Sequence, residues 1–207
     1  MTTATLSAPV AVPRVNNRLP TLGCGVAWDA SVQKVVQKTD RAGHSGSTSG
    51  DPFYVAPPSV RGAFADLQLI LVAVQDKSTV LAHVDGDCPE AFEGSLAHTG
   101  DDKTGLAAGW SEVGTINLGL VPQEVTAIAF FIHCKSGHLL SDVQNAKGGV
   151  FLLRDQQVIV GGPVNHANTT CLAAVVRRQG EDFVIQPVNQ GFNAGSLAEA
   201  MAVLGRF

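Results

Sequence analysis

The chain has 207 residues, of which 45% are hydrophobic and 15% charged, which excludes a largely disordered chain and leaves room for one domain with a sizeable core. The net charge of −4 and a pI of about 5.8 argue against nucleic acid as the ligand, because phosphate binding needs a basic surface. No apolar run approaches the roughly 18 residues of a membrane span.

The N-terminus, MTTATLSAPVAVPRV, lacks the charged start and continuous apolar stretch of a signal peptide. Cys24, Cys88, Cys134 and Cys171 are widely spaced and form no CxxC pair; three of them lie in apolar runs. A reduced, cytoplasmic protein with no integral membrane segment is the expectation.

Residues 1–20, rich in Thr, Ala and Pro, read as an N-terminal arm. Residues 22–28 (LGCGVAW) read as the first strand of one domain over 21–207. The pattern breaks at 30–62, where Lys34, Lys38, Arg41 and Arg61 face only Asp40 and Asp51, and the middle is the Gly/Ser-rich GHSGSTSGDP. Such a segment cannot bury much apolar surface, so this basic insert is expected to be dispensable for folding. It is either a spacer or a contact loop in which Phe53, Tyr54 and Val55 anchor to a partner.

From Asp66 the chain turns strongly β. Residues 67–74 (LQLILVAV) are apolar on both faces except at Gln68, which suits a strand covered on both sides. Further strands are predicted at 79–84, 113–118, 125–133, 149–153, 156–160, 170–177 and 183–188. Asp76-Lys77 and Arg154-Asp155 read as turns. Many short strands imply a sandwich or barrel. Ser196 and Glu199 fit a capping box for a helix at 196–204.

Between Asp85 and Glu112 there are seven acids and one base, Lys103, a larger negative excess than that of the whole chain. On charge alone a solvated acidic loop is favoured over a hard-cation site. Gly43-His44-Ser45-Gly46-Ser47 pairs His with Ser but lacks the strand–turn–helix setting of a nucleophile elbow. His133 and Cys134 are adjacent on a strand and point to opposite faces, which argues against zinc held with His138. Gly23-Cys24-Gly25 and Lys147-Gly148-Gly149 are weak as phosphate loops.

Several stretches, in order, resemble the TerD family of tellurite-resistance and stress-response domains. They are Gly25-Val26-Ala27-Trp28-Asp29; Asp66-Leu67-Gln68-Leu69-Ile70; and the loop His98-Thr99-Gly100-Asp101-Asp102-Lys103-Thr104-Gly105 leading to Trp110-Ser111-Glu112. Next come Val121-Pro122 through Ile132-His133, then Val143-Gln144-Asn145-Ala146, then Gln190-Gly191-Phe192. The HTGDxxTG loop is the most specific of these. The resemblance implies an all-β, two-sheet β-sandwich with a short C-terminal helix.

It also implies calcium held by acidic loops. Asp66, Asp101 and Glu112 stand in family positions, and Asp102 stands where the family has Asn. Calcium takes six to eight oxygen ligands. Gln68 replaces an acid, however, as do Trp110 and Ser111, so the ligand set is partly eroded. The resemblance further implies a non-catalytic binding or scaffold domain, acting with other Ter-family or stress-response proteins or with copies of itself. The alternative is a structural assembly subunit that has lost metal binding. An enzyme lacks a constellation of nucleophile, base and orienting group.

Overall fold

The computed structural model describes residues 7–32, 51–53, 65–77, 79–102 and 109–207, the side chains of 30–32 excepted. Its strands are β1 (Val10–Ala11), β2 (Thr21–Val32), β3 (Leu67–Val74), β4 (Val80–Val84), β5 (Glu90–Ala91) and β6 (Leu96–His98). They continue as β7 (Glu112–Asn117), β8 (Ala127–Cys134), β9 (Val143–Leu152), β10 (Val158–Pro163), β11 (Thr170–Gln179) and β12 (Asp182–Phe192), followed by the α-helix α1 (Leu197–Leu204).

The strands form two six-stranded sheets. Sheet one runs β1-β12-β11-β8-β3-β4 and sheet two runs β10-β9-β2-β7-β6-β5. All pairings are antiparallel. This is the all-β sandwich with a short C-terminal helix that the sequence implies. Among the described residues no helix is long and apolar enough to cross a membrane.

Alternation along β3 and β8 explains why both are buried throughout. Leu67, Leu69, Leu71, Phe130 and Ile132 enter the core between the sheets with Leu22, Cys24, Val26 and Ile116. Ile70, Val72, Ala129 and Phe131 point the other way, into a second apolar layer closed by Ala200, Met201 and Leu204 of α1. Full burial of each large side chain contributes ~1.5–3 kcal/mol. The helix exists to cover sheet one's outer face.

Its start is fixed by polar groups. Ser196 is extended and its Oγ accepts from the Glu199 amide at 3.3 Å, while Glu199 Oε2 accepts from the Gly195 amide at 2.6 Å. The Asp51 carboxylate accepts from the Leu197 amide at 3.1 and 3.2 Å, placing negative charge at the helix's positive end.

Asp51 brings Phe53 with it. Phe53 is 0% exposed, packed edge-on to Phe131 with ring centroids 5.2 Å apart and against His133 at 5.6 Å. The sequence suggested this ring as an anchor for a partner; it is instead an anchor within its own chain. The reason is that β8 presents Phe131 and His133 on an outer face that needs cover. The Gly/Ser-rich part of the insert, with Tyr54 and Val55, lies outside the described residues. Within the segment read as an arm, Val10 and Ala11 pair with Ile185 and Val184 of β12.

Candidate functional site

Gly114 of β7 lies against β3: a Cβ there would stand 2.7 Å from Leu69 and 2.9 Å from Leu71. The sheets therefore approach closely at this end, and Glu112, two residues earlier on the same inward face, reaches across. Its Oε2 accepts from the Leu69 amide at 2.7 Å. β4 reaches back only to Leu71, paired with Val84, so the carboxylate takes the β3 amide beyond that point.

His98 completes the arrangement. The Gly100 amide donates to His98 Nδ1 at 3.2 Å, which leaves Nε2 carrying the proton toward Glu112 Oε2 at 3.3 Å. Both side chains are fully buried. Glu112 Oε1 has no hydrogen-bond partner among the described residues. Burial pushes the Glu112 carboxyl up to about 7, against the hydrogen bonds from His98 and Leu69, and the charge of Asp101 adds to the rise.

Asp101 packs on the turn after β4, where a Cβ on Gly86 would come within 3.0 Å of the Asp101 Cβ. That turn is built by Asp85, whose Oδ1 accepts from the Asp87 and Cys88 amides at 2.9 and 2.7 Å. Asp102 follows, half-buried. Asp66, half-buried before β3, donates its amide to Ser136 Oγ at 3.0 Å, and its carbonyl accepts from the Lys135 amide at 2.9 Å.

Lys135 sits among these acids. Its Nζ lies 3.2 Å from Asp87 Oδ2, with the lysine side chain 16% exposed. Burial opposes its charge, but the carboxylates of Asp87, Asp101 and Asp66 outweigh burial and hold the ammonium above its ordinary pKa. The fold thus sets Lys135 against Asp87, the charges of Asp101 and Asp66 also act on its ammonium, and that of Asp101 acts on Glu112.

Trp110 does different work. It stacks on Phe151 with centroids 5.5 Å apart and planes within 2°, and Lys147 Nζ lies 5.5 Å from its ring centroid. A Cβ on Gly25 would meet the indole at 2.5 Å, and one on Gly149 at 3.1 Å. These glycines pave the outer face of sheet two, and the ring lies flat on them.

Three of the four cysteines are buried. Burial raises the pKa of Cys24 and Cys134 and pushes Cys171 up to about 12, while Cys88 is exposed. His133 faces Thr170 Oγ1 at 2.9 Å on the outer side, whereas Cys134 joins the core between the sheets. A cleft of about 200 Å³ opens between β10 and β12, and its lining holds no titratable side chain.

The TerD domain family matches residues 9–202. The chain belongs to the TerD family. A solved structure described as an unknown-function protein, SAV2460, is 16% identical, covers 91% of this chain and 98% of its own, and superposes with a TM-score of 0.67. A homologue of telluride resistance protein (TerD), SCO6318 from Streptomyces coelicolor A3(2), is 15% identical, covers 90% and 97%, and gives 0.65. At these identities the two structures share the fold. No curated protein matches the chain.

Calcium takes six to eight oxygens, and in this TerD domain Asp66, Asp101, Asp102 and Glu112, the expected ligands, each hold a side-chain oxygen out of solvent. Glu112 Oε2 is committed to an amide and an imidazole, and Lys135 already lies among the acids. Gln68 replaces an acid and is fully buried, its amide without a partner among the described residues. Among the described residues no group of three His, Cys, Asp or Glu is placed to hold a metal ion.

Sequence reading assigned no role to Lys135, Asp87 or His98. Register carries the missing information for the lysine. Cys134 pairs with Leu67, so the next residue of the chain must fall beside Asp66.

Proposed function

We propose that this TerD domain is a non-catalytic scaffold in a tellurite-resistance or chemical-stress response system of the cytoplasm. It binds other Ter-family proteins or further copies of itself, and works without calcium. Family membership over residues 9–202 is the observation that carries this reading. Supporting it, three of four cysteines are buried, burial raises the pKa of each, and the His98–Glu112 pair is sealed from solvent. One structural neighbour is itself described as a homologue of a telluride resistance protein.

The test pairs two measurements on the purified chain. Tellurite is incubated with protein and a thiol reductant, and turnover is followed for the wild type and for Cys88→Ser, which removes the exposed thiol. The mass in solution is then measured alone and with co-expressed TerD-family proteins. A scaffold gives no turnover and a defined complex. Thiol-dependent turnover lost in Cys88→Ser would make the chain an enzyme. A monomer that ignores every TerD-family protein would remove the scaffold role.

A further inference from the structure

We infer that the outer edge of β10 is an interface, and that its occupant is β10 of a second copy, paired antiparallel so that sheet two of each copy runs on into the other. The inference rests on the scaffold reading above and names its surface.

Among the described residues the two sheets end in four edges, β1 and β4 in sheet one and β10 and β5 in sheet two. β1 and β5 are two residues long, and β4 is half-buried along most of its length. Short or covered strands are a common way to keep an edge from pairing. β10 is six residues long, and its Val158, Gly161, Gly162 and Pro163 are exposed. Its sequence VIVGGP and the flanking Gln156, Gln157, Val164 and Asn165 carry no charge, so no like charges meet when two such strands pair.

The backbone points the same way. The Val164 amide donates to the Ala146 carbonyl, and Gly162 and Val160 stand opposite Gly148 and Val150. In an antiparallel ladder the residues in between turn their N–H and C=O to the other side. Gly161 therefore offers both groups outward. Pro163 has no N–H, offers only its carbonyl, and marks where pairing ends.

Two features select a copy of the same strand. Val158 is 52% exposed at one end, whereas a Cβ on Gly162 near the other would meet nothing within 4 Å among the described residues. Antiparallel pairing sets the Val158 end of each strand against the glycine end of the other. One strand thus carries both the knob and the space, as a two-fold interface requires. Each side of the edge also has a recess. The cleft of about 200 Å³ opens on the inner side, and a groove bordered by Trp110, Val158, Gly162 and Pro163 on the outer. Alternate side chains of an added strand enter one and then the other.

The test is the mass in solution over a concentration series, with hydrogen exchange at Gly161, for the full chain as wild type, Val158→Lys, Gly162→Lys and Leu120→Lys. Leu120 is 59% exposed on the turn after β7 and serves as the control. Wild type and L120K should be dimers with the Gly161 amide protected. V158K and G162K should keep the wild-type Tm, dimerise at least about tenfold more weakly and exchange Gly161 freely. Should V158K fail to fold, G162K carries the result, because its side chain enters open space. A wild type that is monomeric throughout overturns the inference, and so does a dimer that both lysines leave intact. A wild type that is monomeric alone yet joins a TerD-family protein overturns the second copy while the scaffold reading stands. A chain that joins neither removes both.

Discussion

Glu112 of sheet two accepts a hydrogen bond from the Leu69 amide of sheet one at 2.7 Å, so a buried carboxyl closes one end of the sandwich. Its pKa lies at about 7 in the fold against an ordinary value near 4.5. The folded state therefore binds this proton more tightly than the unfolded chain. The stabilisation is fully present below about pH 4.5 and is lost as pH rises to about 7, a change on the order of 3 kcal/mol. Glu112→Gln keeps an acceptor for Leu69 and cannot ionise. Chemical denaturation between these pH values should show a decline in the wild type that is absent in E112Q. Equal slopes would remove Glu112 as the cause.

Phe53 and Asp51 lie in the insert yet belong to the fold. Phe53→Ala should cost ~3–5 kcal/mol, as for other buried aromatics, and Asp51→Ala ~0.5–2 kcal/mol for the lost helix cap. Denaturant melts measure both. A Phe53→Ala loss below about 1 kcal/mol would place the ring at the surface.

Gly25 and Trp110 should be coupled. A Cβ at Gly25 would stand 2.5 Å from the indole, so Gly25→Ala should cost ~1–3 kcal/mol by overpacking. In a Trp110→Ser background the same change should cost under about 0.5 kcal/mol. A double-mutant cycle reads the difference, and strictly additive losses would mean that the ring does not lie where it is described.

Phe130 and Phe131 point to opposite layers, Phe130 into the core between the sheets and Phe131 under the helix. Phe130→Ala should cost ~3–5 kcal/mol. Phe131→Ala should, in addition, loosen α1, seen as faster amide exchange across Leu197–Leu204 that Phe130→Ala does not produce. Equal exchange in the two variants would contradict the two-layer packing.

The sandwich was legible because strand signals are local: LQLILVAV announces a strand covered on both faces, and Ser196 with Glu199 announces the helix start. The short strands β1, β5 and β6 were not, since two or three residues carry no period of their own. Phe53 misled because a Gly/Ser-rich neighbourhood says nothing about where its one large ring will land. Asp66, Asp101, Asp102 and Glu112 stood out by their resemblance to a known pattern. Lys135 did not, because a lone lysine after an apolar strand acquires its role only when β3 and β8 are set in register.

A crystal structure grown at neutral pH with millimolar calcium tests most directly whether the domain works without calcium. The expected result is Lys135 Nζ against Asp87, as in the fold described, with no ion density between Asp101 and Glu112. A calcium ion coordinated by Asp101 and Glu112, with Lys135 turned out to solvent, would contradict it.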